Sequence, residues 1–130
     1  MLGEGMRAIQ RGTNTTSFQK GVRAEDEAVL FFQKRGFFCL KRRFRTPLGE
    51  IDLIVRNATT LIFVEVKHRK KLSHAMEAVS PAQRFRLYSA AEIFMDTHRE
   101  DIVGCTTVQF DVLACAPGKN PCHIPHVIME

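Results

Sequence analysis

The chain has 130 residues, of which 45% are hydrophobic and 25% charged. This composition suits one water-soluble domain and leaves no room for a second of ordinary size. Nineteen lysines and arginines against fourteen acids give a net charge of +5, which permits a polyanionic partner without requiring one. Four scattered cysteines are too few for a disulfide scaffold, and no apolar run approaches the roughly 18 residues of a membrane span. We therefore expect a cytoplasmic protein with reduced thiols and no membrane contact.

The first predicted element is a helix over residues 21 to 35. Its apolar positions Ala24, Ala28 and Phe32 recur at helical spacing and define the buried arc of the helix. Glu25 lies on the flank of that arc. A carboxylate there either interacts favourably with the helix dipole or belongs to a functional site, and the position alone leaves both interpretations open.

Three segments of strand character follow, and the short turns between them predict an antiparallel meander. A long amphipathic helix opened by Ser-Pro comes next, then one further strand, while the Pro-rich tail either adds an edge strand or packs as coil. We predict an α/β fold of order α-β-β-β-α-β, with residues 1–20 as a disordered leader and 21–130 as a single domain. The three strands are 37–44, 50–56 and 60–68, and the later helix and strand are 81–98 and 108–114.

Strand alternation places charged side chains on otherwise apolar neighbouring strands. In the third strand, Glu65 and Lys67 share a face. In the second strand, the same rule groups Asp52 with Glu50 and Ile54, and it groups the remaining apolar residues on the opposite face. Those remaining residues are Ile51, Leu53 and Val55.

This pattern predicts a small catalytic site. Asp52 and Glu65, paired across one hairpin, can converge on a hard divalent cation such as Mg²⁺, with Mn²⁺ as a substitute. Lys67 can orient a water molecule or stabilise charge on a phosphate, and Glu25 can add a further carboxylate. The alternative without a catalytic role is a cross-strand ion pair on a solvated face. The apolar segments LIVR and LIFV beside the acids count against it.

Positive charge is concentrated on both sides of the acidic hairpin. The first cluster includes Lys41, Arg43 and Arg45, and the second includes Arg69 and Lys70. Residues of this type neutralise a phosphate backbone in a sequence-independent, salt-sensitive way. A charged, solvated strand edge is the alternative explanation of the first cluster.

The C-terminal cysteines and histidines do not form a convincing zinc motif. No C-x₂-C pair is present, and the gaps differ from ordinary ligand spacing. We interpret these residues as free thiols and loop histidines. They are Cys105, Cys115, Cys122, His123 and His126.

The acidic hairpin also resembles a known motif. The run Gly49-Glu50-Ile51-Asp52-Leu53-Ile54, followed by Glu65-Val66-Lys67 and Arg69, resembles the PD-(D/E)xK nuclease motif. Within that superfamily the sequence is most similar to the bacterial YraN-like family, which is related by motif to archaeal Holliday-junction resolvases. The resemblance extends from about residue 21 to about residue 114.

The resemblance implies a restriction-endonuclease-like core, with a mixed central sheet flanked by helices and Mg²⁺ between the acids. It implies that Asp52 is the metal-binding Asp, Glu65 the second acid, Lys67 the catalytic lysine and Glu25 the first-helix acid. Gln83 stands where family members commonly carry a lysine, and Gln109 stands where they often carry an arginine. The function implied is structure-selective hydrolysis of DNA, branched or nicked, by a homodimer. A non-catalytic nucleic-acid-binding or repair-associated module and a protein-interaction domain are the alternatives.

Overall fold

The computed structural model describes residues 17–68 and 80–125. Most of the predicted leader, together with Arg69, Lys70 and His126, lies outside the described residues. The first predicted helix is observed, but it begins four residues before the predicted start. The elements in chain order are helix α1 (Ser17–Gln33), strands β1 (Phe38–Thr46), β2 (Gly49–Arg56) and β3 (Thr60–His68), helix α2 (Pro81–Thr97), a 3₁₀ turn (Arg99–Ile102), and strands β4 (Thr107–Cys115) and β5 (Cys122–Ile124).

The strands form one five-stranded sheet in the order β1-β2-β3-β4-β5. Strands β1, β2 and β3 form the predicted antiparallel meander, β4 runs parallel to β3, and β5 is antiparallel to β4. The α2 crossover makes the parallel pair possible, because parallel neighbours need a long connection. The predicted α-β-β-β-α-β order and the mixed sheet are therefore confirmed, with β5 as the edge strand that the tail adds.

Each helix covers one face of the sheet. Helix α1 packs Ala28 and Phe32 on the face that carries Val64 and Leu113, whereas α2 packs Leu87 and Phe94 on the opposite face. Helix α2 begins at a capping box in which Ser80 and Gln83 satisfy each other's backbone N–H groups, a geometry that stabilises the first turn. No helix in the described ranges is long and apolar enough to cross a bilayer.

The predicted alternation along β2 is wrong at Ile51. Leu53 packs under α1, but Ile51, predicted to share its face, joins Ile54 under α2, so two residues only two positions apart face opposite sides. The neighbouring strand β1 makes the same change: Arg42 lies opposite Leu53 and reaches α1, whereas Phe44 lies opposite Ile51 and reaches α2. A regular strand cannot do this, because its side chains alternate strictly.

The change coincides with Arg43, which lies on β1 between the residues paired with Leu53 and Ile51, as Asp52 does on β2. Arg43 has φ +53°, which is the left-handed region that residues with a Cβ rarely adopt. Within the described ranges it is the one non-glycine residue with a positive φ. The irregularity therefore falls at the position of a candidate site residue, where backbone strain often accompanies function.

Candidate functional site

Strands β2 and β3 separate at the candidate site. Their paired register ends at Leu53 and Val64. Asp52, which precedes Leu53 on β2, bonds to β3 through its side chain. Asp52 Oδ2 accepts a hydrogen bond of 2.8 Å from the backbone N–H of Val66. The carboxylate thereby satisfies a strand donor that has lost its backbone partner, and it is held between the two strands.

A cavity of about 380 Å³ opens where the two strands separate. Asp52 and Glu65 both line it, so the structure brings the two predicted metal-binding acids to one cavity. Its walls come from the β1–β2 turn, the two strands and the first turns of α2. The lining residues are Thr46, Pro47, Leu48, Gly49, Glu50, Asp52, Glu65, Gln83, Arg86 and Leu87.

Gly49 allows the β1–β2 turn to close one side of this cavity. A Cβ added at Gly49 would overlap the backbone carbonyl group of Arg86 on α2. Because that obstacle is backbone, a side chain here would force the turn and the helix apart. The glycine of the Gly-Glu-Ile-Asp run is therefore explained by close packing next to the site.

Lys67 lies on the same side of β3 as Glu65. Its side chain is buried except for 10% of its surface, and Nζ lies 3.9 Å from Glu65 Oε2. Leu61 and Phe63, four and two positions before Glu65, pack under α2, which confirms the predicted alternation along β3. An ammonium group so largely withdrawn from water needs a nearby anion, and Glu65 provides one.

Asp52 is electrostatically crowded. Burial is the main cause that raises the pKa of the Asp52 carboxyl group above its ordinary value, and the carboxylates of Glu25 and Glu50 raise this pKa further. The hydrogen bond from Val66 and the charge of Lys67 oppose these effects without cancelling them. A cation bound among these acids would relieve the crowding, because it favours the ionised carboxylates.

Glu25 is brought close to Asp52 but is held by arginines. Its Oε1 atom lies 2.8 Å from Arg43 Nε and 3.7 Å from Arg42 Nη2, and Arg42 also bonds Asp26 at 2.8 Å. Glu25 is buried, with 8% of its surface exposed. Within the described ranges, no group of three or more His, Cys, Asp or Glu side chains is placed to hold a metal ion.

The predicted phosphate-binding residues occupy different environments. Lys41 and Arg45 are exposed on β1, which is an edge strand of the sheet. Arg45 makes only a long contact of 3.8 Å with the exposed Glu50. Arg43 turns inward to Glu25, while Arg69 and Lys70 lie outside the described residues. Lys41 and Arg45 are thus the two predicted phosphate contacts for which the structure describes an exposed side chain.

Two residues that line the cavity are not predicted as site residues from the sequence. Gln83 had been noted only for its departure from the family pattern, and Arg86 had not been singled out. Both line the cavity, and their spacing of three residues puts them on one side of α2. A polar pair at helical spacing just after a Ser-Pro helix start was the available signal.

The predicted loop position of His123 is wrong. His123 lies in β5, and its Nε2 atom is 2.7 Å from the fully buried carboxylate of Asp111 on β4. The Gln109 side-chain amide donates to the same carboxylate. This cluster fastens the edge strand to the sheet.

The four cysteines are free thiols, and burial raises the pKa of the Cys115 thiol to about 11, which makes it unreactive at neutral pH.

Comparison with known proteins agrees with this architecture. The structure is similar to Archaeoglobus fulgidus Hjc, a Holliday junction resolvase, with a TM-score of 0.56 and 24% identity over 82% of this chain and 72% of that chain. This similarity supports the restriction-endonuclease-like fold that the resemblance implied.

Similar sequences cover almost the whole chain. A UPF0102 protein of Bartonella henselae is 39% identical over 124 residues, covering 95% of this chain and 97% of the relative. A UPF0102 protein of Caulobacter vibrioides is 38% identical over 117 residues, covering 90% of this chain and 92% of the relative. The model of the uncharacterised protein family UPF0102 matches residues 24–115. The chain therefore belongs to the UPF0102 family, the YraN-like family predicted from its motif.

Proposed function

We propose that this protein is a divalent-metal-dependent nuclease that hydrolyses phosphodiester bonds in DNA. The observation that carries the proposal is the meeting of Asp52 and Glu65 at one cavity, with Lys67 beside Glu65. Two carboxylates and a lysine at this spacing meet the minimal needs of phosphodiester hydrolysis. The nuclease-like fold, shared with a protein named as a Holliday junction resolvase, supports the same conclusion.

The residues present fit Mg²⁺ or Mn²⁺. Asp52 and Glu65 would hold the cation through carboxylate oxygens, which these hard cations prefer. Burial and the nearby carboxylates of Glu25 and Glu50 raise the pKa of the Asp52 carboxyl group, and a bound cation would offset both effects. When bound, the cation would supply positive charge that activates water and offsets the charge developing on the phosphate.

The remaining groups of the site would position the substrate. Lys67, withdrawn from water beside Glu65, would donate hydrogen bonds to the attacking water or to a phosphate oxygen. Arg86, across the cavity on α2, is suited to a phosphate oxygen because its guanidinium group can bind two oxygens at once.

The DNA would lie along the edge strand β1 and across the mouth of the cavity. Lys41 and Arg45 are exposed on that strand, and Arg69 and Lys70 follow β3 in the sequence. Lysine and arginine side chains bind the phosphate backbone without reading base edges, so recognition would follow the shape and backbone of the DNA. We therefore propose selectivity for branched or nicked DNA, cleavage by a homodimer and a cytoplasmic location.

A cleavage assay tests the proposal. Wild-type protein, Asp52→Ala and Lys67→Ala are incubated with a four-way DNA junction and with a linear duplex of the same length, in Mg²⁺, in Mn²⁺ and in EDTA. We expect wild-type protein to cut the junction in either cation, and we expect both variants to bind it without cutting. Equal cutting by wild type and Asp52→Ala would contradict the proposed catalytic site.

The second candidate function is a non-catalytic nucleic-acid-binding or repair-associated module with the same fold. It is favoured by the ion pair between Glu25 and Arg43, which satisfies two site residues in the absence of any ligand. Junction binding by wild-type protein with no cleavage in Mg²⁺ or Mn²⁺ would support the module and exclude the nuclease. Absence of both binding and cleavage would leave a protein-interaction domain as the explanation.

A further inference from the structure

Arg43 combines two unusual properties at one position. Its backbone is left-handed at φ +53°, and its side chain bonds the buried Glu25 at 2.8 Å. The left-handed conformation reverses the side-chain alternation of β1 opposite Asp52, where β2 makes the matching change. The ion pair thus joins the strand irregularity, the first helix and the candidate site in one contact.

The charge of Glu25 matters to the site although the residue does not line the cavity. Glu25 Oε1 lies 2.8 Å from Arg43 Nε, and the two neighbours of Arg43 on β1 pair with Leu53 and Ile51, the two neighbours of Asp52 on β2. Arg43 and Arg42 both lie within 4 Å of Glu25 Oε1. As long as these guanidinium groups remain there, much of the negative charge that Glu25 could contribute to a nearby cation is compensated.

The two arginines remain accessible to an outside anion. The side chains of Arg43 and Arg42 are 32% and 39% exposed, whereas that of Glu25 is only 11% exposed. A phosphate group approaching the edge strand could therefore reach the guanidinium groups without displacing Glu25 from its burial. Arginine binds phosphate at least as well as carboxylate, often through two parallel hydrogen bonds.

We propose that Arg43 acts as a latch on Glu25, which means that its guanidinium group neutralises the Glu25 carboxylate while no DNA is bound. A DNA phosphate would compete for this guanidinium group, and the Glu25 carboxylate would then attract a cation at the site. Backbone binding and cation binding would then favour each other, because a coupling between two sites is reciprocal. The inference rests on the proposed metal-dependent function, and it adds a regulation of that site. Arg43 would be a coupling residue and would not touch the reacting atoms.

Calorimetric titration of Mn²⁺ into DNA-free protein tests the latch. We expect Arg43→Gly to bind Mn²⁺ about fivefold more tightly than wild type, because Glu25 loses its compensating charge. Glycine accepts the left-handed backbone, so the variant keeps the strand geometry. In a Glu25→Gln background, Arg43→Gly is expected to change the affinity no further, because the charge it releases has been removed.

Two controls separate the latch from other effects. Arg99→Ala removes an equal charge from another ion pair, Arg99 with Asp96 at 3.2 Å, and should leave Mn²⁺ affinity unchanged. Arg43→Ala lacks the same guanidinium group but keeps a Cβ on the left-handed backbone, so it should tighten Mn²⁺ binding as Arg43→Gly does while unfolding at a lower temperature than Arg43→Gly. A tightening confined to one of the two Arg43 variants would contradict a side-chain latch.

The coupling itself is measured by repeating the titrations with a short DNA duplex present, in a Lys67→Ala background that prevents cleavage. DNA should tighten Mn²⁺ binding more in the parent protein than in its Arg43→Gly derivative. Equal tightening in both, or equal or weaker DNA-free Mn²⁺ binding by Arg43→Gly, would overturn the inference and leave the proposed function standing. If wild-type protein binds no Mn²⁺ in a manner that depends on Asp52, the proposed function fails and this inference fails with it.

Discussion

The β2–β3 hairpin has a turn end, from Arg56 to Thr60, and an open end, formed by Asp52 and the stretch from Glu65 to Lys67. At the turn end the paired register continues to Arg56 and Leu61. The Asn57 side chain accepts hydrogen bonds from the backbone N–H groups of Thr59 and Thr60. Each of these bonds satisfies a local donor and stabilises the turn.

Arg56 completes the turn end by donating to three backbone carbonyl groups. The acceptors are Asn57, Ala58 and Asp101, so one guanidinium group joins the turn to the 3₁₀ segment after α2. At the open end the pairing stops early, and a carboxylate replaces a backbone acceptor. There Asp52 is buried near the carboxylates of Glu25 and Glu50, and these effects raise the pKa of its carboxyl group.

The contrast separates two uses of polar groups on the same pair of strands. Polar groups at the turn end lower the free energy of the folded state, because each finds a complementary partner. At the open end, burial of the ionised Asp52 carboxylate and repulsion from the carboxylates of Glu25 and Glu50 raise that free energy. Proteins commonly accept such a local cost where a site must bind a ligand that supplies the missing charge.

The largest expected effect is on catalysis at the open end. Glu65→Gln keeps the size of the side chain and removes its charge, so we expect DNA cleavage to fall by about a hundredfold or more with little change in stability. The matched change near the turn end, Glu100→Gln, removes an exposed carboxylate and should leave the cleavage rate unaltered. Similar rates for both variants would remove the functional distinction between the two ends.

The next largest expected effect is a loss of unfolding free energy caused by a steric clash. Gly49→Ala would drive a Cβ into the backbone carbonyl group of Arg86, and overpacking of this kind costs about 1–3 kcal/mol of unfolding free energy. Its neighbour Leu48 is largely exposed, so Leu48→Ala should cost less than about 0.5 kcal/mol. Urea unfolding of the two variants measures both values. A Gly49→Ala protein as stable as wild type would show that the turn does not depend on close contact with α2.

A comparable loss is expected at the turn end. Arg56→Ala removes three hydrogen bonds to backbone carbonyl groups, and we expect the unfolding free energy to fall by about 1.5–2 kcal/mol. Arg99→Ala, which breaks an exposed ion pair, should cost less than about 0.5 kcal/mol. DNA cleavage measured on folded Arg56→Ala protein should be unchanged. Loss of cleavage without loss of stability would reverse the roles assigned to the two ends.

The smallest expected effect is a gain in the free energy of unfolding. Because the pKa of the Asp52 carboxyl group is raised in the folded protein, the folded state binds its proton more tightly than the unfolded state does. Stability is therefore lost as pH rises from the unfolded pKa through the folded one, and Asp52 is destabilising when ionised. Asp52→Asn should stabilise the protein by about 1 kcal/mol at neutral pH.

The pH dependence checks the cause of that gain. Below the unfolded pKa of 3.8 the carboxyl group is protonated in both states, so wild type and Asp52→Asn should have nearly equal stability there. Urea unfolding of both proteins at neutral pH and at about pH 3 measures the difference. A gain that persists at about pH 3 would assign the stabilisation to packing and not to charge.

Much of the fold follows from sequence periodicity. The meander was predicted because the apolar spacing of its strands is regular and its turn signals are strong, and the second long helix because Ser80 and Pro81 form a strong helix start. Glu65 and Lys67 were correctly grouped because β3 is a regular strand at the centre of the sheet. The likeness to the resolvase fold followed from the same hairpin.

The irregular part of the site could not be predicted in this way. Alternation assumes a regular strand, and Ile51 departs from it because Arg43 adopts a left-handed backbone without the glycine that usually announces one. The Arg43 contact with Glu25 joins residues 18 positions apart, and the His123 contact with Asp111 joins residues 12 apart. Such pairs depend on how strands and helices are placed in space, which local patterns do not encode.

The central claim is that Asp52 and Glu65 together bind a divalent cation. Calorimetric titration of Mn²⁺ into wild type, Asp52→Asn, Glu65→Gln and the control Glu100→Gln tests it without knowledge of the DNA substrate. We predict one Mn²⁺ bound per chain by wild type and by the control, with binding lost or greatly weakened in each of the other two variants. Unchanged binding in Asp52→Asn and Glu65→Gln would contradict the claim.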